Sequence, residues 1–157
     1  MIDGGGAAEV FLDATPARLL LEDAKNALQD ALDAGALALS AEALGAMEVT
    51  LDTLVDYLKQ RQQFGRAIGS NQARSIVILA ASRMGTATQS RTVSMCKNLC
   101  RRVAVRVAEE AIQMHGAVAM TWEFPVSHYA KRLVMIDAQL GGCDHHIKRV
   151  IAALQAA

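Results

Sequence analysis

Aromatic residues are scarce in this 157-residue chain, at 4% of the sequence with a single tryptophan. The volume of a hydrophobic core must therefore come from alanine, leucine, valine, isoleucine and methionine, most of which are strong helix formers. Apolar residues make up 52% of the chain, which is enough for one domain with a core of its own. The composition thus favours helices.

An excess of either charge is also missing, because sixteen basic residues balance sixteen acidic ones. This balance gives no overall electrostatic attraction for nucleic acid or anionic membranes. The first six residues form neither the basic nor the apolar part of a signal peptide. No uninterrupted apolar run approaches the roughly 18 residues that cross a bilayer. We therefore expect a cytoplasmic protein with no nucleic-acid partner and no membrane partner.

Cysteine is too rare for a disulfide framework, and its number, three, is odd. Without a secretory signal we expect reduced thiols, with Cys96 and Cys100 as small core residues on one helix face. The run Cys143-Asp144-His145-His146 could bind a metal, but adjacent histidines on a helix point in different directions. A solvated helix start, with an acidic residue at its positive end, is the simpler interpretation. We predict no metal site.

The sequences that carry familiar catalytic chemistry are absent as well. No paired Glu-x-x-His motif is present, so a ferritin-like di-iron site has no ligands. The chain also has no Gly-x-Ser-x-Gly elbow and no phosphate-binding P-loop. No nucleophile with a positioned base can be identified from the residues alone.

What the sequence does contain is helical periodicity after a different N-terminal segment. Residues 1–22 hold two short apolar runs around a turn, which predict two short strands left over from a larger β unit. Residues 23–157 predict an antiparallel four-helix bundle with a short fifth helix, an all-α fold. The expected apolar stripes include Leu51, Leu58, Val103, Val107, Leu133 and Leu140.

The helix boundaries follow from local signals. The first helix is expected from Asp23 to Gln62, and the second starts with Ser70 as N-cap. A polar turn over residues 86–94 precedes the third helix, which ends at Gly116. A loop over residues 117–124 leads to Pro125 in the first turn of the fourth helix. Gly141-Gly142 separates that helix from the last one, over residues 144–154.

Two loops have unusual compositions. The segment from Arg61 to Gln72 brings a guanidinium, amides and a helix start together, and such groups bind phosphate. The other runs from Glu109 through Gly116 to Pro125. The first loop alone could be an ordinary connection between helices, and the second alone could be a C-cap. These structural interpretations do not explain why both loops occur in one chain.

Both loops resemble the acyl-CoA dehydrogenase family. The segment Arg61-x-x-Phe-Gly-x-x-Ile-Gly-x-x-Gln72 is similar to a signature of that family. So are Val107-Ala-Glu-Glu-Ala-Ile-Gln-Met-His-Gly and Trp122-Glu-Phe-Pro-Val126, while Ala41 to Met47 resembles the start of the family's C-terminal domain. The resemblance covers about residues 20–155 in the family's order. It identifies the chain as a C-terminal helical domain, with residues 1–22 as a remnant of the middle β domain.

The resemblance implies a cofactor and a reaction. Members bind FAD between subunits and oxidise an acyl-CoA thioester to the 2-enoyl-CoA, with a glutamate as the base that removes the α-proton. The family's FAD contacts fall here on Arg61, Gln63, Phe64, Asn71, Gln72, Gln113, Met114, His115, Gly116 and Ala117. The family often has glycine where Ala117 stands, so a positive φ there would strain the backbone. The resemblance also implies an acyl-CoA substrate and a homo-oligomer.

The catalytic base of the family is missing. Its commonest position falls at Leu140, and the position used by another branch falls near Gly35. Asp33 and Asp137 are close in sequence but lie on the wrong helical turn, unless the alignment is shifted by one turn. The span from Gln72 to Gln113 is also shorter than usual, by roughly four turns. No catalytic residue is therefore assigned to this chain.

Three functions remain open from the sequence. The chain is the C-terminal domain of an active dehydrogenase, or a non-catalytic subunit that completes the flavin site of a partner dehydrogenase, or a structural bundle without a ligand. The matching residues at positions 61, 64, 72 and 113 speak against the third. The missing carboxylates at positions 35 and 140 favour the second over the first.

Overall fold

The computed structural model describes residues 1–60 and 70–155, with side chains for all of them except residues 58–60, 70 and 71. Its helices are α1 (Lys25–Gln60), α2 (Ser70–Ser82), α3 (Gln89–His115), α4 (Pro125–Ala138) and α5 (Cys143–Gln155). A short 3-10 helix, Gly116–Met120, connects α3 to α4. The predicted all-α bundle is confirmed.

Helix α3 is the centre of the bundle, because it packs against every other helix. Its buried face carries Val93, Cys96, Cys100, Ala104 and Val107. This face confirms the predicted role of the two cysteines as small core residues, each about 1% exposed or less. Apolar residues that recur every three or four positions form such a face, and burying it supplies the main driving force for folding.

Small residues dominate the core. Alanine supplies about half of the buried apolar positions in the described part of the chain, including Ala36, Ala73, Ala104 and Ala111. Larger side chains such as Met47 and Leu133 fill the remaining space. Short side chains allow neighbouring helices to approach closely, so the bundle reaches a dense interior without aromatic residues.

The predicted pair of N-terminal strands is wrong, since residues 1–24 contain no strand. Val10, Phe11 and Leu12 are each more than three-quarters exposed. Two short strands without a larger sheet are marginally stable, and within the described residues these segments have no sheet to join.

Two other predictions need correction near the helix ends. The polar turn expected over residues 86–94 is already helical from Gln89 onward, because its polar groups find partners: the Gly85 amide donates to Gln89 Oε1 at 2.6 Å. Leu140 does not belong to the apolar stripe of the fourth helix. That helix ends at Ala138, and Leu140 is 42% exposed with a positive φ of 56°.

One helix in the described ranges is long and apolar enough to cross a membrane. It is α1, over Lys25–Tyr57, with a mean hydropathy of 1.3. This is weak evidence, since a core helix of a bundle passes the same test, and α1 packs against α2, α3 and α4. The expectation of no membrane partner stays a prediction.

Candidate functional site

The end of α1 and the end of α3 meet at one end of the bundle. The Tyr57 and His115 rings stack with centroids 4.4 Å apart, and the Phe124 ring lies 5.0 Å from His115 on another side. Residues 61–69 follow α1, and the segment from Gln113 to Ala117 contains His115. The geometry therefore brings the chain that enters the first predicted loop next to the second predicted loop.

The His115 side chain belongs to the interior. It is 2% exposed, and its Nδ1–H donates to the Ala111 carbonyl at 2.8 Å, so Nε2 is an acceptor, with no partner among the described residues. An imidazole held between two rings cannot reach a ligand on the surface. Only the backbone of His115 is available to a cofactor, in the way the family resemblance implies.

Gly116 turns the chain at the end of α3. It has φ of 68°, and its amide donates to the Ile112 carbonyl, as is common for a glycine that ends a helix. A Cβ at this position would meet no atom within 4 Å, so the backbone conformation, and not space, favours glycine. Ala117 is exposed and does not have a positive φ, so the strain considered for it is absent.

The structure describes some of the remaining cofactor candidates and not others. Gln72 and Gln113 are exposed, on the first turn of α2 and the last turns of α3, and Met114 is half-buried. Arg61, Gln63 and Phe64 lie outside the described residues. Asn71 lies in the first turn of α2, but its side chain is not described.

Gly35 and Leu140, the two positions to which the family resemblance assigns the base, come together in space. A Cβ built on Gly35 would lie 2.5 Å from Leu140 Cδ1, so the leucine occupies the space above the glycine. Distant parts of the sequence, α1 and the segment after α4, thus converge on one point. That point holds no carboxylate, because its two residues are glycine and leucine.

The nearby aspartates have other partners. Asp33 is fully buried and accepts from Arg149 Nη2 at 2.8 Å and from the Ser90 hydroxyl at 2.6 Å. Asp137 forms an ion pair of 3.0 Å with Arg101. Both carboxylates thus connect helices, since Asp33 on α1 pairs with α5 and Asp137 on α4 pairs with α3.

A buried histidine holds the segment that carries Leu140. His146 is 1% exposed; its Nε2–H donates to the Leu140 carbonyl at 3.1 Å, and the Ser94 hydroxyl donates to its Nδ1 at 3.2 Å. Burial lowers the pKa of His146 to about 4, so the ring is neutral at pH 7. Gly141 has φ of 99°, and a Cβ there would lie 2.5 Å from His145 Cδ2 and 3.2 Å from His146 Nε2.

This histidine predicts a pH dependence of stability. Its pKa is about 4 when folded and about 6.5 when unfolded, so the unfolded chain binds the proton first as the pH falls. The contribution of the neutral His146 ring to stability is therefore fully present above pH 6.5. As the pH falls from 6.5 to 4, this contribution is lost, and the free energy of unfolding decreases by up to about 3 kcal/mol. Urea unfolding at half-unit pH steps checks this. His146→Gln should flatten the dependence above pH 4.5, whereas the exposed neighbour, as His145→Gln, should retain it; equal slopes in both variants would contradict the assignment.

The potential metal ligands at the start of α5 separate as predicted. His145 is exposed while His146 points into the core, and Cys143 Sγ accepts from Asn98 Nδ2 at 2.9 Å. Among residues 1–60 and 70–155, no three cysteine, histidine or acidic side chains come close enough to hold a metal ion.

Sequence reasoning missed the polar contacts that join distant segments. Asp33 with Arg149, and His146 with Ser94, each connect helices more than fifty residues apart in the chain. One signal was available for the Leu140 segment, since paired glycines directly after a helix often mark a turn with positive φ.

Comparison with known proteins identifies the family to which the chain belongs. A family profile described as acyl-CoA dehydrogenase, C-terminal domain, matches residues 25–79 and 71–155. Acyl-CoA dehydrogenase IpdE2 of Mycolicibacterium smegmatis is 37% identical over 135 residues, which cover 79% of this chain and 43% of that protein. The chain thus spans less than half the length of this relative.

Solved structures share the fold. Butyryl-CoA dehydrogenase from Megasphaera elsdenii superposes with a TM-score of 0.73 at 25% identity, over 84% of this chain and 39% of that one. The FAD complex of PigA superposes with a TM-score of 0.75 at 25% identity, over 86% of this chain and 40% of that one.

Proposed function

Since the chain belongs to the acyl-CoA dehydrogenase family through that family's C-terminal domain, we propose that it supplies contacts to FAD and an oligomer interface in a dehydrogenase acting on acyl-CoA. The observation that carries this proposal is the convergence at one end of the bundle, where Tyr57 at the end of α1 contacts His115. The two motif segments shared with the family continue from these residues.

Two features of the described residues support FAD binding. Gly116 is exposed and has a positive φ, so its backbone is accessible with no side chain to cover it. Gln113, three residues earlier, is exposed as well. The first turn of α2 presents Gln72 at a helix N-terminus, where unpaired amides and the helix dipole favour phosphate groups. When bound, FAD would supply the hydride acceptor, and these residues would hold its dinucleotide part.

The second candidate function is a non-catalytic subunit that completes the flavin site of a partner dehydrogenase. The contact between Gly35 and Leu140 favours it, because both base positions of the family meet there without a carboxylate. The chain would then retain the family's cofactor contacts and leave proton abstraction to the partner.

Exposed apolar residues support an oligomer interface. On α5, Ile147, Ile151 and Leu154 are between 45% and 60% exposed, and Ile78 on α2 is 63% exposed. Apolar residues spaced along one helix face in this way indicate a surface that another protein covers. We assign this face to a second copy of the chain, as the family resemblance implies, or to the partner dehydrogenase.

Native mass spectrometry after incubation with FAD tests both parts of this proposal. We expect a dimer or larger assembly, with flavin bound weakly because this chain carries one side of the site. Gln113→Ala should reduce the flavin-bound fraction several-fold, whereas the exposed Gln155 at the end of α5, changed to alanine, should leave it unchanged. A monomer that takes up no FAD at any concentration would overturn the proposal.

A further inference from the structure

A groove of about 430 Å³, which we call the basic groove, lies between the end of α2, the start of α3 and the second half of α5. Apolar side chains and two arginines line it, among them Leu79, Met95, Val150, Leu154, Arg83 and Arg91. Three of the apolar residues, Leu79, Met95 and Leu154, are at least 42% exposed, so the helices of the chain leave these walls uncovered. The basic groove therefore offers apolar surface and positive charge to the same partner.

The two arginines of the basic groove have no carboxylate partner in the part of the chain that the structure describes. Other arginines of the bundle do have one, namely Arg74, Arg101, Arg132 and Arg149. The sequence explains this difference, because ten basic residues and no acidic one lie between Asp56 and Glu109. The groove thus carries a local positive charge although the whole chain is neutral, and it favours an acidic partner.

An extended segment of the same sequence has the complementary character. The segment Glu9-Val-Phe-Leu-Asp13 places one carboxylate on each side of three apolar residues. The three apolar side chains are between 77% and 85% exposed. Neither carboxylate forms an ion pair within the described ranges. Adjacent apolar residues exposed to this degree indicate a surface that another protein covers.

The start of this segment is out of reach of the basic groove of its own chain. Gly5 is held beside α4, because Asp3 pairs with Arg132 at 2.9 Å and the N-terminal amine donates to the Gly5 carbonyl at 2.9 Å. On α3, Lys97 contacts α4, and it points away from Met95 in the groove because residues two apart on a helix differ by about 200°. The four residues after Gly5 span at most about 14 Å, little more than the width of one helix. The segment therefore starts on the α4 side of the bundle, opposite the groove.

We propose that the basic groove of one chain binds the segment Glu9–Asp13 of a second copy. The apolar side chains of the segment pack against the walls of the groove, and its two carboxylates pair with Arg83 and Arg91. In a symmetric dimer the exchange is reciprocal, since each copy has one segment and one groove. This inference rests on the oligomer interface proposed above, and it names the residues that form that interface.

Charge reversal tests the two ion pairs, with the dimer dissociation constant from sedimentation velocity as the measurement. Glu9→Arg with Asp13→Arg, and separately Arg83→Glu with Arg91→Glu, should each raise this constant about tenfold or more, because like charges then face each other. An equimolar mixture of the two variants should restore the dimer, since each altered segment then meets an altered groove. This rescue also shows that both variants are folded, which their circular dichroism spectra check independently.

One pair of single substitutions tests the apolar contacts. Phe11→Ser should raise the dissociation constant about tenfold, because a large apolar side chain is no longer buried in the groove. Leu20→Ser provides the matched control, since Leu20 is 76% exposed and lies outside the proposed segment. This variant should dimerise like the parent.

The outcomes separate this inference from the proposed function. A dimer that none of these variants weakens would overturn the docking of Glu9–Asp13 and leave the oligomer interface intact. A mixture of the two charge-reversed variants that stays monomeric, or equal losses from Phe11→Ser and Leu20→Ser, would overturn the docking as well. A parent chain that is monomeric up to the highest soluble concentration would contradict both the docking and the oligomer interface.

Discussion

A chain of these 157 residues, supplied with saturating FAD, is expected to show no acyl-CoA-dependent dye reduction above that of free flavin. The family resemblance assigns the base to Gly35 or Leu140, and neither side chain can accept a proton. General-base catalysis alone contributes about 10²- to 10⁴-fold. The chain also spans less than half the length of IpdE2 and of the butyryl-CoA dehydrogenase.

The assay needs short, medium and branched acyl-CoAs, with the complete butyryl-CoA dehydrogenase of Megasphaera elsdenii as a positive control. Turnover above the background would show that another residue acts as the base. The variants Asp33→Asn, Asp137→Asn and Asp144→Asn would then identify it. Asp33 and Asp137 are the less suitable candidates because both form ion pairs with arginine.

Replacing Asp33 by alanine should destabilise the bundle by about 2–4 kcal/mol. Its carboxylate is fully buried and accepts hydrogen bonds from Arg149, Ser90 and Gln29, so it connects α1 with α3 and α5. Removing it leaves the Arg149 guanidinium, whose side chain is 21% exposed, without its counter-charge. Breaking one partner of a buried ion pair is strongly destabilising because the other charge stays desolvated.

Urea unfolding at a fixed protein concentration measures this effect. Asp30 provides a matched control on the same helix, since it is exposed and accepts from Gln89 Nε2 at 3.0 Å. Asp30→Ala should cost less than about 1 kcal/mol. A double variant with Arg149→Met should recover part of the loss. Equal effects of Asp33→Ala and Asp30→Ala would show that burial of the ion pair does not matter.

The helices could be predicted from the sequence because their signals are local. Apolar spacing placed the start of α1 within two residues, whereas its expected end at Gln62 lies outside the described residues. Gly116 ended α3, and Pro125 began α4. The start of α3 was placed too late, because polar residues such as Gln89 and Ser94 look like a turn until their partners are known. The N-terminal strands failed for the opposite reason, since β structure needs partners that the described residues do not provide.

The site was predictable only in part. The family motifs identify Gln72 and the Gln113 segment as candidates, and their role as cofactor contacts stays a prediction. The meeting of Gly35 with Leu140 joins residues more than a hundred positions apart, so no local pattern reveals it.

The alanine-rich core makes the tolerance of this protein to mutation one-sided. Where Ala36, Ala73, Ala104 and Ala111 are buried, a smaller residue removes one methyl group, and the cavity left behind is small. A larger residue at the same positions has to push two closely packed helices apart, which typically costs about 1–3 kcal/mol or more. Random substitution should therefore harm this core mainly through added volume, whereas most proteins with leucine-rich cores are harmed by lost volume.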